Sequence, residues 1–212
     1  LTKEFGSFGL KSSSIKFKNN YKKLLISSSF MKLIDNNRFK YKNTAAFGSP
    51  IQTNNYGKIV HEEVKFNALY NINSYNKLQF HSWINFLDRE VPQNLTTVNS
   101  DAKQYDKNYR FLLKSQHQIN KLKIVLKQAF LKEDFRYTEL SKNIDSKFII
   151  NTSVTDLRLK YLYHKFSFNL NSSYNRHEVT NNNYLESNLI EDNSAIFSSI
   201  NFIDKLIKTN IS

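Results

Sequence analysis

The chain has 212 residues, with 31 lysines and arginines against 18 aspartates and glutamates, and no cysteine. A disulfide framework and a cysteine-based metal site are therefore excluded, and no window approaches the ~20 apolar residues that a membrane-spanning helix needs. The net charge of +13 comes from lysines spread along the whole chain rather than from one dense basic run, which argues against a nucleic-acid partner.

Alternation of apolar and polar residues recurs along the chain and is typical of strands that lie between an apolar and a polar medium. Residues 60–72, 78–86 and 165–175 show this pattern most clearly. The sequence therefore predicts an all-β fold with ten strands, near 5–18, 22–35, 59–72, 77–90, 105–118, 121–137, 148–162, 165–178, 194–203 and 206–212. Six side chains should share one face, which we expect to be the convex one: Val64, Phe66, Tyr70, Phe80, Phe166 and Phe168.

The predicted connections alternate in length, which favours an antiparallel up-and-down meander. Short turns are expected near Asn19-Asn20, 72–76, Ile119-Asn120, Tyr163-His164 and Asp204-Lys205, and long loops at 36–58, 91–104, 138–147 and 179–193. Short turns on one side and long loops on the other are typical of outer-membrane barrels. Although strands are generally rich in aromatics, those beside the short turns suggest an interfacial girdle: Phe17, Tyr21, Tyr70, Tyr75, Phe80, Tyr161, Tyr163, Phe166 and Phe168.

The segment 112–130 also fits a helix. Leu122, Val125, Leu126 and Ala129 follow helical spacing, and no glycine or proline interrupts the segment. Taken alone, the pattern favours neither structure. The neighbouring strands favour a strand, because a lone helix inside a meander would leave sheet edges unpaired in lipid.

Three segments near the start of the chain carry a resemblance to a known family. Gly6-Ser7-Phe8-Gly9 opens a strand, and Asp35-Asn36-Asn37-Arg38-Phe39-Lys40-Tyr41-Lys42-Asn43 enters a long loop. Trp83-Ile84-Asn85-Phe86-Leu87-Asp88-Arg89-Glu90-Val91-Pro92 ends a strand in an Asp-Arg-Glu-apolar-Pro run. In content, order and spacing they resemble the early barrel of TonB-dependent outer-membrane receptors of the cobalamin and siderophore type. Beyond residue 92 the resemblance rests on strand rhythm.

The resemblance implies that the sheet is part of a larger transmembrane β-barrel in the bacterial outer membrane, in contact with its lipid. In that family a plug inside the barrel contacts TonB, which supplies energy for importing a small nutrient such as siderophore-bound iron or cobalamin. The chain departs from this plan, with no plug, no terminal aromatic and about ten strands instead of roughly 22. We therefore expect residues 1–212 to be a partial barrel domain, without plug or signal peptide, that does not close.

The resemblance also implies where a ligand binds, namely at long loops that face the outside, such as 36–58 and 91–104. Arg38, Phe39, Tyr41 and Arg89 are the candidate substrate-binding residues, since cations and a phenol can hold anionic or polar chelates. For Asp88-Arg89-Glu90 the simpler alternative is a salt-bridged strand end in water, which contributes little to stability.

No enzymatic activity, metal site or cofactor is predicted. The sequence has no phosphate-binding glycine loop, no nucleophile elbow and no serine with a recognisable catalytic partner. The five histidines are scattered, and no two of them are spaced as i, i+2 or i, i+4, as metal ligands on one strand or helix would be. Two other classes stay open: another outer-membrane barrel, such as a porin or adhesin, and a soluble β-rich binding module with an apolar core.

Overall fold

The computed structural model describes residues 1–92, 101–183, 188–203 and 208–211 and consists almost entirely of strands. The strands are β1 (Thr2–Phe5), β2 (Lys11–Tyr21), β3 (Leu24–Asp35), β4 (Phe39–Lys42), β5 (Ile51–Asn54), β6 (Ile59–Asn71), β7 (Lys77–Glu90), β8 (Lys103–Ile119), β9 (Leu122–Glu139), β10 (Ile144–Tyr163), β11 (Phe166–Asn181), β12 (Asn188–Ile203) and β13 (Lys208–Ile211). Two 3₁₀ turns, Ser7–Gly9 and Leu140–Lys142, complete the elements. In the described part of the chain, no helix has the length and hydropathy to cross a membrane.

Eleven strands form one antiparallel sheet in the order β1-β2-β3-β6-β7-β8-β9-β10-β11-β12-β13, and β4 and β5 form a separate hairpin. Every strand of the large sheet pairs with the one that precedes or follows it, apart from the excursion through the hairpin. The predicted antiparallel meander is therefore confirmed. The sheet is open, and β1 and β13 are its edge strands.

The register assigns each residue of the large sheet to one of two faces, because directly paired residues of antiparallel strands point to the same side. One face runs across the sheet through the pairs Ala68–Phe80, Phe80–Leu113, Leu113–Gln128, Gln128–Thr155 and Thr155–Tyr174. All six side chains predicted to share a face lie on this one, which we call the apolar face. The opposite, polar face carries His81, Arg110 and Lys127.

No second sheet covers the apolar face within the described residues, since the only other sheet is the β4–β5 hairpin. In the same part of the chain, Ala102 is the one apolar residue that is buried. Phe17, Leu126 and Phe166 are 55%, 41% and 41% exposed. A soluble sandwich would bury such side chains between two packed sheets. The large sheet is therefore a single layer whose apolar side chains stand on an open surface.

Near the start of the chain, two predicted boundaries are wrong. The expected strand 5–18 is interrupted at Gly6–Leu10, where the Gly6 N–H donates to the Leu10 carbonyl at 3.0 Å. Phe8 and Gly9 have left-handed φ values of 61° and 89° there, a reversal that side-chain alternation does not reveal. The turn expected at Asn19-Asn20 is also wrong, because both residues belong to β2 and the chain turns at Lys22, with a φ of 50°.

Two of the predicted long loops are mostly strand. In 138–147, β9 and β10 pair as far as Glu139 and Ile144, so that a short turn alone remains. In 179–193, β11 continues to Asn181 and β12 starts at Asn188. Polar residues occupy both faces in these regions, so the alternation fades although the backbone ladder continues. The loop 36–58 is long as expected, while the middle of 91–104 and the turn at Asp204-Lys205 lie outside the described residues.

The ambiguous segment 112–130 is a β-hairpin rather than a helix. It forms the adjoining halves of β8 and β9, which pair from Leu112–Ala129 to Ile119–Leu122. The connecting turn begins at Asn120, whose φ of 52° is left-handed. The prediction of strands here is thereby confirmed, since the ladder runs through this region without interruption.

Candidate functional site

An apolar band crosses the apolar face beside the short turns. In β9 the band runs from Leu122 through Ile124, Leu126 and Gln128 to Phe130, and Lys132 follows on the same face. At about 3.3 Å per residue and a tilt of about 45°, these steps give a height of about 19 Å between the outermost Cα atoms. With the side chains added, the height approaches the roughly 25 Å of the apolar band in outer-membrane barrels.

The band has aromatic edges and ends at a row of charged residues. Aromatic rings mark the edge beside the short turns, at Tyr21, Tyr70, Tyr161 and Phe166. Other rings mark the opposite edge, at Phe86, Tyr109, Phe130 and Tyr174. The first charged side chains beyond the band on this face, in strand order, are Lys11, Lys32, Glu62, Asp88, Lys107, Lys132, Lys147, Arg176 and Asp192. We call this row and the residues beyond it on the same face the charged rim.

Several polar side chains within the band bond to one another. The Gln128 Nε2 donates to Ser153 Oγ at 3.2 Å, and the Thr155 hydroxyl donates to Gln128 Oε1 at 2.6 Å. On β8, Ser115 Oγ and His117 Nε2 lie 2.6 Å apart. Polar groups in hydrocarbon must find partners within the protein, because no water is present to replace them. This pairing gives the polar groups of the band partners within the protein.

The polar face carries a connected network across β6–β9. Glu63 accepts from Lys65 at 2.7 Å and from the Trp83 indole N–H at 2.6 Å. The Arg110 guanidinium lies 4.5 Å from the Trp83 ring centroid and 3.0 Å from a Glu133 carboxylate oxygen. A groove of about 360 Å³ opens beside Trp83 and Arg110. At the same position along the strands, the two faces therefore differ in charge: the apolar face has no charged side chains, and the polar face has many.

The three segments that carry the family resemblance meet at the end of the sheet away from the short turns. The Arg38 backbone N–H donates to the Phe8 carbonyl at 3.4 Å, and the Phe8 and Phe39 rings pack edge to face at 5.5 Å. A Cβ placed on Gly57 would lie 2.8 Å from Asn37 Nδ2 and 3.5 Å from Pro92 Cγ. Residues 6–10, 35–58, 89–92 and 101–102 thus form one surface, which we call the loop platform.

Glu90 and Tyr56 fix the base of the loop platform. The Glu90 carboxylate accepts the backbone N–H groups of Gly57 and Lys58, both at 3.0 Å. The Tyr56 hydroxyl donates to the carbonyl of the buried Ala102 at 3.1 Å. Burial, helped by the negative charge of Glu90, raises the pKa of Tyr56 to about 12. The phenol therefore stays protonated and keeps donating throughout the physiological pH range.

The predicted binding residues fall into two groups. Phe39 and Tyr41 lie side by side on β4, with ring centroids 6.2 Å apart, and the Tyr41 hydroxyl donates to Gln52 at 3.1 Å across the hairpin. Arg38 is exposed just before β4. Arg89 lies at the end of β7 on the polar face and donates to Gln104. The structure thus joins Phe39 and Tyr41, whereas Arg89 enters the loop platform from the end of β7.

Within the described part of the chain, Arg89 and Glu90 form no ion pair, so the salt-bridged strand end suggested for Asp88-Arg89-Glu90 is not seen there. Arg89 bonds to an amide and Glu90 to backbone N–H groups. Among the described residues, no cluster of three histidine, aspartate or glutamate side chains is arranged to hold a metal ion. His61, His81 and His177 instead bond to Asn85, Asn67 and Thr152 on the polar face. The groups that the loop platform offers to a ligand are hydrogen-bond donors and aromatic rings.

No protein-family model matches the sequence, and no curated protein matches it either.

The sequence did not predict the roles of Tyr56 and Gly57 or the contact between Trp83 and Arg110. Gly57, with a φ of 128°, lies two residues before the start of β6, and a glycine before a strand is a signal for such a backbone position. The other contacts depend on the register, which no single segment of sequence encodes.

Proposed function

We propose that the chain is part of the wall of an outer-membrane barrel that imports a scarce nutrient, as TonB-dependent receptors do. The observation that carries the membrane assignment is the exposed apolar band, uncharged across the large sheet and bounded by rings and ions. An apolar surface that runs about 26 Å along the strands and crosses nine neighbouring strands about 4.8 Å apart covers roughly 1,000 Å², whereas the largest apolar patch of a typical soluble monomer covers about 300–600 Å². The lipid of the outer membrane is the medium that fits its height and edges.

The orientation follows from the two ends of the sheet. The short turns lie beside the band, while the strands continue past the charged rim to the loop platform. In outer-membrane barrels, short turns face the periplasm and the longer connections face the outside. The loop platform then faces the exterior, where a ligand arrives, and the polar face lines the interior. The wall itself performs no chemistry.

The transport assignment rests on the resemblance and gains support from the contacts within the loop platform. Three segments separated in sequence, with the family's order and spacing, pack against one another at the end proposed to face outside. Arg38, Tyr41 and Arg89 of the loop platform supply two cations and a phenol. The ligand class that fits is an anionic or polar chelate, such as a ferric siderophore, or cobalamin.

The test replaces Arg38, Tyr41 and Arg89 with alanine in the protein as its host produces it. Binding of radiolabelled ferric siderophore and cyanocobalamin to whole cells is measured at matched surface levels. We expect affinity for one of these probes to fall roughly tenfold or more, because charged hydrogen bonds contribute about 1.5–3 kcal/mol each. A control variant with Lys22, Tyr75 and Lys121 replaced removes similar groups at the opposite end and should bind normally.

A protonophore separates energised import from passive diffusion. Under our proposal, collapse of the proton gradient abolishes uptake while surface binding persists. Uptake that continues unchanged would instead identify a porin, and binding without any uptake would identify an adhesin. In the binding experiment, an unchanged affinity of the triple variant would exclude Arg38, Tyr41 and Arg89 from the ligand-binding site.

A further inference from the structure

The charged rim contains a basic depression on β8, β9 and β10. It has a volume of about 220 Å³ and is lined by Tyr105, Lys107, Asp134, Arg136 and Lys147. The register places all five on the apolar face, with Tyr105 directly opposite Arg136 and Arg136 directly opposite Lys147. Three separate strands therefore direct cations into one opening on the side that bears the apolar band.

The electrostatics of the depression favour an anion. Lys103 and Lys132 occupy the same face of β8 and β9, just beyond and just before the depression. Five cations then face three carboxylates, those of Asp134, Asp145 and Asp88, which lies directly opposite Tyr105 on β7. Asp145 holds Arg136 through both of its oxygens, at 2.9 and 2.7 Å. This uses two of the five N–H donors of a guanidinium and leaves the others for a ligand.

The height of the depression above the apolar band indicates where the anion comes from. On β8, Lys107 lies two residues and the row of Tyr105, Arg136 and Lys147 four residues beyond Tyr109, the last ring of the band, which at a tilt of about 45° places them about 5 and 9 Å above that ring. The polar headgroups of a bilayer add about 5–7 Å to each side of its hydrocarbon core. Long basic side chains also lay their stems on apolar surface and place their charges at this level.

We propose that this depression binds the phosphate-bearing headgroup of an anionic membrane lipid. Arg136 donates to two phosphate oxygens, Lys107 and Lys147 neutralise the remaining charge, and the Tyr105 hydroxyl donates from the edge. Guanidinium and ammonium groups are the usual partners of phosphate oxygens. The inference rests on the proposed membrane location, because the band must place the acyl chains of that lipid directly below the depression.

The experiment uses the barrel that contains these residues, as its host produces it, in phosphatidylcholine vesicles that contain a minor fraction of phosphatidylglycerol. Flotation with the vesicles reports membrane insertion, and native mass spectrometry after release reports which lipid stays bound. The site variant replaces Lys107, Arg136 and Lys147 with glutamine. A control variant replaces Lys123, Lys127 and Lys160, which lie on the polar face of β9 and β10, and removes the same charge.

We expect the unmodified protein to retain phosphatidylglycerol in preference to phosphatidylcholine, and the site variant to lose roughly tenfold or more of this preference. Lys147→Gln alone should cause a smaller loss, and the control variant should keep the preference. Equal losses in the site and control variants would overturn the proposal, as would displacement of the lipid by inorganic phosphate at comparable concentration. Insertion without lipid selection contradicts the lipid site alone, whereas failure to float contradicts the membrane location.

Discussion

Leu126→Arg is expected to lower the free energy of unfolding of the membrane-inserted protein by about 2–4 kcal/mol, the cost of a cation near the bilayer midplane on the lipid side of a barrel. Leu126 lies halfway between Leu122 and Phe130 and is 41% exposed. In water, an arginine at so exposed a position would change stability by no more than about 0.5 kcal/mol. The expected penalty therefore arises from the lipid around the side chain.

Leu112→Arg is the matched control, since the chemical change is the same and the depth is similar. Leu112 lies on the polar face of β8, beside Leu113 of the band, and pairs directly with His81 and Ala129. The single tryptophan, Trp83, lies in the large sheet and serves as the fluorescence probe of unfolding by guanidinium in vesicles. Equal costs for the two substitutions would contradict a lipid-facing band.

Ala129→Pro should destabilise the protein by several kcal/mol, which is the second large effect. Ala129 lies in the middle of β9 and pairs with Leu112 on one side and Val154 on the other. Proline removes a backbone N–H from this ladder, and an unpaired backbone group at membrane depth costs several kcal/mol because no water replaces the lost bond. Unfolding by guanidinium, followed through Trp83, measures the loss.

Ala46→Pro makes the same chemical change in the loop between β4 and β5. Ala46 lies outside the large sheet, and its carbonyl accepts from the Ser49 N–H at 3.0 Å. A carbonyl survives substitution by proline, so this variant should remain within about 1 kcal/mol of the unmodified protein. A loss in Ala129→Pro as small as that in Ala46→Pro would show that β9 is not held between two neighbours in lipid.

Alternation predicted the strands well where one face of the sheet is apolar and the other is polar. Phe166, Phe168 and Leu170 alternate with Ser167, Asn169 and Asn171 because one face is apolar and the other polar. Beyond the band, polar residues occupy both faces, so the strand ends at Glu139, Ile144 and Asn181 carry no such signal. For this physical reason, the predicted loops 138–147 and 179–193 were too long.

The site was predictable only in part, because its contacts depend on pairing between distant segments. Arg38, Phe39 and Tyr41 are close in sequence, and their loop could be recognised from its length. Lys107, Arg136 and Lys147 become neighbours only when the registers of β8, β9 and β10 are known. No local pattern distinguishes these cations from the many others in a chain with a net charge of +13.

The most direct test of a lipid-facing wall is a cysteine scan of residues 122–136, which the absence of native cysteine makes clean. Each variant is labelled with an environment-sensitive fluorophore and quenched by nitroxide-bearing lipid in vesicles. We predict strong quenching at Ile124, Leu126, Gln128 and Phe130 and little at Val125, Lys127 and Ala129. Quenching should fall again at Lys132, Asp134 and Arg136 on the same face. Equal quenching on both faces, or none on either, would contradict the claim that the apolar face of the sheet contacts lipid.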